Sequence, residues 1–179
     1  AGDPLHWTGP NQNWNFMCAD CHSTNLRKNF DLTANSYQTT WSEIDVSCEA
    51  CHGPGSRHVA WAQQPGGAAP DAAHGLAVSC RDPGAGLWMA DPTAATAKRS
   101  APRQSIAEVE TCARCHARRR EISSSYRYGH PFLDTHMPTL LDAGLYHADG
   151  QILDEVYEYG PFRQSRMFQM GVTCSDCHD

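Results

Sequence analysis

Cys18-Ala-Asp-Cys21-His22, Cys48-Glu-Ala-Cys51-His52, Cys112-Ala-Arg-Cys115-His116 and Cys174-Ser-Asp-Cys177-His178 repeat one chemical pattern four times. Two thiols three positions apart, followed at once by an imidazole, share one face of a helical turn. Such a face can bond a single flat macrocycle. The thiols add to two vinyl groups of a porphyrin and the imidazole reaches its iron, which is the attachment pattern of haem c. Structural zinc uses paired Cys-x-x-Cys units but gains nothing from a His fused to the second Cys. A redox dithiol occurs once, near a strand-helix junction. The expected cofactor is therefore haem c, four copies, covalently held by Cys18, Cys21, Cys48, Cys51, Cys112, Cys115, Cys174 and Cys177. His22, His52, His116 and His178 are the expected proximal iron ligands.

An iron with one imidazole has a sixth position, and its occupant decides between carrying electrons and binding a substrate. Ten His are present, so six remain after the four motifs. His58 is the first distal candidate, on a short helix after a Gly-Pro-Gly corner and near Trp61. His136 and His147 flank an expected helix whose Leu133, Leu140 and Leu141 can rest on porphyrin. His6, beside Trp7, is the fourth, delivered by an N-terminal segment. His74 and His130 are read as surface residues, and the Met residues as packing filler rather than ligands. Cys80 is the one thiol outside the motifs, read as a half-buried apolar filler, with iron ligation as the alternative.

These sites need elements to hold them. The motif starts lie 30, 64 and 62 residues apart. Asn13 to His22 reads as a short helix ending at the first site. Ser42 to Asp45 reads as an N-cap before the second, with Gly53-Pro54-Gly55 as its stop and Ser56 as the cap of the next helix. Ser105 to Glu108 is a capping box for a helix running through Cys112, Cys115 and His116 toward Glu121. Pro131 to Ala143 and Pro161 to Met170 read as further helices, and Thr173 with Asp176 caps the last motif. Residues 63–102, rich in Ala, Gly, Pro and Asp, read as a surface insertion or hairpin with Leu76 to Arg81 and Leu87 to Ala90 as arms. The expected fold is mainly α with few strands: a single tetrahaem cytochrome c domain over 1–179, with short helices and long loops wrapped around four haems.

Composition supports a haem-cored chain. Hydrophobic residues make up 40%, much of it Ala, so porphyrins would supply the bulky core. The formal charge of -6 argues against nucleic acid as a partner. Arg114 and Arg118 to Arg120 suit either a solvated face or haem propionates. No apolar run approaches a membrane span, and no signal peptide is visible in the first ten residues. Covalent haem attachment takes place after export, so a periplasmic or extracellular bacterial location is expected.

The stretches Met17 to Leu26, Trp41 to Val46, Cys48 to Ser56, Gly144 to Leu153 and Gly171 to Asp179 resemble the multihaem cytochromes related to the nitrifier tetrahaem cytochrome. The resemblance implies electron transfer through mostly bis-His, low-spin haems. It also implies a longer parent protein, with further haem motifs and tetratricopeptide repeats, of which this chain is a fragment. Relatives often carry a His before the last motif where Gln169 stands here. Expected partners are redox proteins and other cytochrome subunits, including a homopolymer in which one subunit lends a distal His to the next. The rival expectation is a multihaem oxidoreductase acting on a small nitrogen or sulfur compound at one five-coordinate haem, with Tyr126, Arg127, Tyr128 and His130 near it. A docking module that uses its haems as scaffold is a third. No residue is assigned a catalytic role, and an electron carrier is favoured over a catalyst.

Overall fold

Pro removes a backbone donor and Gly ends helices. With eleven Pro and fourteen Gly in the chain, neither helical nor strand periodicity survives for long. The computed structural model describes residues 6, 9, 12–65, 73–84, 86–94 and 96–178, and its elements are short. In chain order they are β1 (Phe30–Asp31), β2 (Ser36–Tyr37), α1 (Cys48–His52), α2 (Ser56–Ala62), β3 (Trp88–Ala90), β4 (Ala97–Arg99), α3 (Ala107–Cys112), β5 (Arg119–Glu121), a 3-10 turn (Phe132–Asp134), β6 (His136–Pro138), α4 (Tyr159–Gln164), α5 (Arg166–Gln169) and a 3-10 turn (Cys174–Asp176). The strands form three separate antiparallel pairs, β1 with β2, β3 with β4 and β5 with β6. Among the described residues no helix is long and apolar enough to cross a membrane.

α3 organises the interior. Val109, Ala113 and Ala117 recur at four-residue steps, so they face one way along the helix and the turn that extends it. They pack with Phe132 and Tyr159 into a small buried cluster, flanked by Phe162, Phe168 and Cys174. Phe132 stands at its centre, stacked on His136 at 5.0 Å and meeting Tyr159 edge-on at 5.1 Å.

Several expected elements take another form. Asn13 to His22 makes consecutive turns rather than a regular helix. Asn13 Oδ1 accepts from Phe16 N, but Ala19 N reaches back five residues to Trp14 O, which breaks the helical ladder. Ser42 caps nothing. Its N donates to Thr24 O while Thr24 N donates to Glu43 O, so the segment is extended and α1 begins only after Ser47. The N-cap of α2 is Gly55, one residue ahead of Ser56.

The capping box expected at Ser105 to Glu108 does not form: Ile106 is the N-cap, Ser105 Oγ accepts from Ala107 N, and the Glu108 carboxylate is taken by Ser175. The helix stops at Cys112, with one more turn to His116, because Arg119 to Glu121 pairs with His136 to Pro138 instead. That pairing also replaces the helix expected over Pro131 to Ala143, and Leu133, Leu140 and Leu141 are exposed. Tertiary pairing outweighs local propensity in both places. Pro161 to Met170 is covered by two helices broken at Ser165, whose Oγ accepts from Phe168 N and caps α5. The capping box of Thr173 and Asp176 forms as expected. Of the two hairpin arms, Leu87 to Ala90 contains β3, but its partner is β4. Leu76 to Arg81 is no strand, and Val78 in it is buried, its N donating to His52 O at 3.2 Å.

Candidate haem-attachment sites

Each motif closes one helical turn on its first cysteine. His22, His116 and His178 donate their backbone N–H groups to the carbonyls of Cys18, Cys112 and Cys174 at 3.1, 2.9 and 3.0 Å. The second motif is α1 itself. All four turns therefore present two thiols and an imidazole on one side, as the spacing requires. All nine cysteines are free thiols. Among the described residues no three His, Cys, Asp or Glu side chains converge on one point.

Two of the motif imidazoles are oriented by acceptors. His52 Nδ1 lies 2.9 Å from Val78 O, and His116 Nδ1 lies 3.3 Å from Glu158 Oε2. An acceptor at Nδ1 takes the ring proton there and leaves Nε2 as the lone-pair donor, the arrangement that metal-binding histidines use. His22 and His178 are exposed.

The distal candidates differ in placement. His136 is buried against Phe132, with Nδ1 2.9 Å from Thr135 Oγ1. Burial first, then the nearby Arg119 guanidinium, holds its pKa down at about 4, so at neutral pH it is an uncharged imidazole. It stands on β6 and not at the end of a helix. His58 lies on α2, its Nδ1 2.7 Å from His74 O and its ring 5.7 Å from that of Trp61. His74 stacks on the same indole at 4.7 Å. His147 sits exposed in a turn, its N donating to Gln151 O, and His6 is also exposed.

The third motif and its flanking residues Glu108 and Arg119 touch each of the other three. Arg119 Nη2 bonds Asp20 Oδ2, inside the first motif, at 2.8 Å. Arg114, inside the third, donates from Nη1 to Ala50 O, inside the second, at 3.1 Å. Glu108 on α3 accepts from Ser175 N and Ser175 Oγ, inside the fourth, at 2.5 and 3.1 Å. The thiols follow the same plan. Cys21 Sγ approaches Cys115 O at 3.9 Å. The Cys115 thiol, with the Arg119 charge, lowers the pKa of Cys21 to about 6, against desolvation. Cys115 itself is pushed up by that contact and by burial. Cys112 and Cys174 form the equivalent pair, with Cys112 raised and Cys174 lowered by their mutual hydrogen bond. Burial raises Cys80, with Glu108 and the Cys51 and Cys174 thiols nearby. It is thus a half-buried thiol near motif cysteines Cys51 and Cys174.

Two further features fit haem. Large apolar side chains that precede the motifs, such as Phe16, Met17, Ile44, Val46 and Met170, are exposed and would be covered by a flat apolar ring. Arg114 Nε is buried with no hydrogen-bond partner, while its guanidinium lies 4.1 Å over the Tyr126 ring. A haem carboxylate is a suitable acceptor for that N–H. Arg118, by contrast, donates to Glu155 O and Arg119 is committed to Asp20.

Comparison with known proteins gives one family. The family of cytochrome c554 and c-prime matches residues 8–53, a span that contains the whole of the first and second motifs. The match supports a cytochrome of the c type, with covalently attached haem and a role in electron transfer. Proteins of that kind are typically extracytoplasmic. No curated protein matches the chain, and neither does any solved structure.

Sequence reasoning gave Glu108 a capping role in place of its hold on the fourth motif, and overlooked Trp88 and Arg103, which hold that motif too, and Val78 and Glu158, which orient two imidazoles. One signal was available. Asp20, Arg114 and Asp176 are charged residues between the cysteines of their motifs, where a charge invites a partner from elsewhere in the chain.

Proposed function

We propose that this chain transfers single electrons through four covalently attached c-type haems, one at each Cys-x-x-Cys-His turn. The observation that carries the reading is the bonding of the third motif and its helix to the other three motifs through Asp20, Ala50 and Ser175. Turns so joined would hold their rings close together, as stepwise electron transfer requires. Bound haem supplies the one-electron couple. The protein orients the His52 and His116 imidazoles, offers apolar side chains to cover the rings and places the Arg114 guanidinium to compensate a haem carboxylate. Distal ligation by His58 and His136 is supported by their placement: His58 Nδ1 faces the carbonyl of His74, which leaves Nε2 as the lone-pair donor, and His136 is buried with its Nδ1 hydrogen-bonded to the Thr135 hydroxyl. His147 and His6, both exposed, suit ligation to a haem of a neighbouring subunit, as in a homopolymer. The chain acts as one tetrahaem unit over 1–179, with 63–102 as an insertion, outside the cytoplasm and among redox partner proteins. A longer parent with tetratricopeptide repeats is part of the same proposal.

Intact mass and resonance spectroscopy test it. Four haem additions on eight thioether bonds, with only low-spin iron, are expected. The bare polypeptide mass, or bound zinc, would refute it. A second reading, a reductase or oxidase of a small nitrogen or sulfur compound, is favoured by one cavity of about 240 Å³ lined by Tyr126, Arg127, His130 and Asp134. It requires a high-spin iron whose signal changes with nitrite, hydroxylamine or sulfite.

A further inference from the structure

The stretch 82–104 lies outside the family match, yet it grips the fourth motif. Trp88 on β3 donates its indole N–H to Asp176 Oδ1 at 2.9 Å, and Arg103 Nη2 bonds Asp176 Oδ2 at 2.7 Å. Thr173 N donates to the same Oδ2 at 2.8 Å, and Arg103 Nε donates to Gly171 O at 2.6 Å. The Arg103 and Asp176 side chains keep only 10% and 20% of their surface exposed. The gripping segment is itself braced. Arg99 on β4 lies 5.7 Å over the Trp88 ring and pairs with Asp82 at 2.7 Å, and Asp82 also takes Gln104 N at 2.9 Å. Asp176 stands one residue before Cys177 and two before His178. A carboxylate there is a fixed negative charge beside whatever those residues bind, and Arg103 is the cation that offsets it.

We propose that the β3–β4 hairpin and Arg103 form an electrostatic clamp on the fourth attachment turn, fixing and neutralising Asp176 and so setting the reduction potential of the haem bound there. The inference rests on the reading of Cys174, Cys177 and His178 as a haem site. Trp88 and Arg103 are positioning residues, acting through Asp176. Charge near a haem and solvent exposure are among the determinants of its potential, and both pass through this contact. A negative charge stabilises ferric over ferrous iron, because reduction adds an electron.

The test is a redox titration of the holoprotein with the haems resolved by resonance spectroscopy, alongside intact mass. Arg103→Gln leaves the carboxylate uncompensated. One midpoint of the four should fall, with the reduced-to-oxidised ratio at the wild-type midpoint changing about tenfold, or about 59 mV for a one-electron couple. Asp176→Asn, which keeps an acceptor for the turn, should raise the same midpoint. The double variant should return close to wild type, and Arg103→Lys, which keeps the charge, should shift little. A purely structural contact would move both single variants the same way, or would lose haem from both. Either result overturns the clamp, as does an unchanged midpoint with four haems retained. Wild-type protein lacking haem on Cys174 and Cys177 would instead remove the underlying assignment, and mass mapping of that peptide reads this separately.

Discussion

Replacing Phe132 by Ala strikes the one aromatic residue that joins the buried cluster to a distal-ligand candidate. Phe132 has 0% of its surface exposed and touches His136 and Tyr159 at ring-centroid distances of 5.0 and 5.1 Å. Truncating a buried Phe to Ala costs about 3–5 kcal/mol in lost transfer energy and residual cavity. The two ring contacts place the expected value toward the upper end, since aromatic pairs add about 0.5–1.5 kcal/mol beyond area. At roughly 2–4 °C per kcal/mol for a chain of this size, melting should fall by about 6–20 °C. The backbone bond from Phe132 N to Glu110 Oε2, 2.7 Å, survives in the variant, so the loss reports the side chain alone. Leu133→Ala is the control, because Leu133 is 55% exposed and should cost no more than about 0.5 kcal/mol. Guanidinium unfolding of the holoprotein, followed by circular dichroism, measures both. A Phe132→Ala cost below about 1 kcal/mol would show that the cluster on α3 does not carry the fold.

Glu108→Ala should destabilise the protein by about 2–4 kcal/mol, because Ser175 N and Oγ lose a charged acceptor at the hub. Glu108→Gln, which keeps one acceptor, should recover part of the loss in the same unfolding assay. Gly53→Ala should cost about 1–3 kcal/mol, since φ is 75° there and a Cβ would lie 2.9 Å from Ala77 Cβ and 3.0 Å from Tyr128 Cγ. Lowering the pH should loosen the 82–104 segment. The hydrogen bond from Gln104 N, then that from Gly84 N and the charges of Arg103 and Arg99, hold Asp82 below its ordinary 3.8. A depressed folded pKa gives stability that is present above about pH 4 and lost as pH falls through the folded value. Hydrogen exchange across Gly84 to Gln104 should therefore accelerate in that acid range, and Asp82→Asn should weaken the pH dependence, the remainder coming from Asp91 and Asp176, whose carboxyls are also held below their ordinary value.

The turn geometry of the four motifs was legible in the sequence because it is local. Two thiols and an imidazole within five residues lie on one turn whatever surrounds them, and the backbone bonds of His22, His116 and His178 follow from that spacing. The Thr173 and Asp176 capping box was legible for the same reason. Longer elements were not. The helices expected over Pro131 to Ala143 and out to Glu121 gave way to pairing between Arg119–Glu121 and His136–Pro138, since a strand partner some fifteen residues away leaves no local trace. The distal candidates mark the same boundary. Ten histidines could be counted from the chain, but only the fold buries His136 behind Phe132 and turns His58 toward His74 O. Nor does any spacing reveal that Asp20, Ala50 and Ser175 converge on the third motif. Covalent valence fixes what each turn can bind, whereas the relative placement of the turns is a sum of many weak long-range contacts, and that sum exists only once the chain has closed on itself.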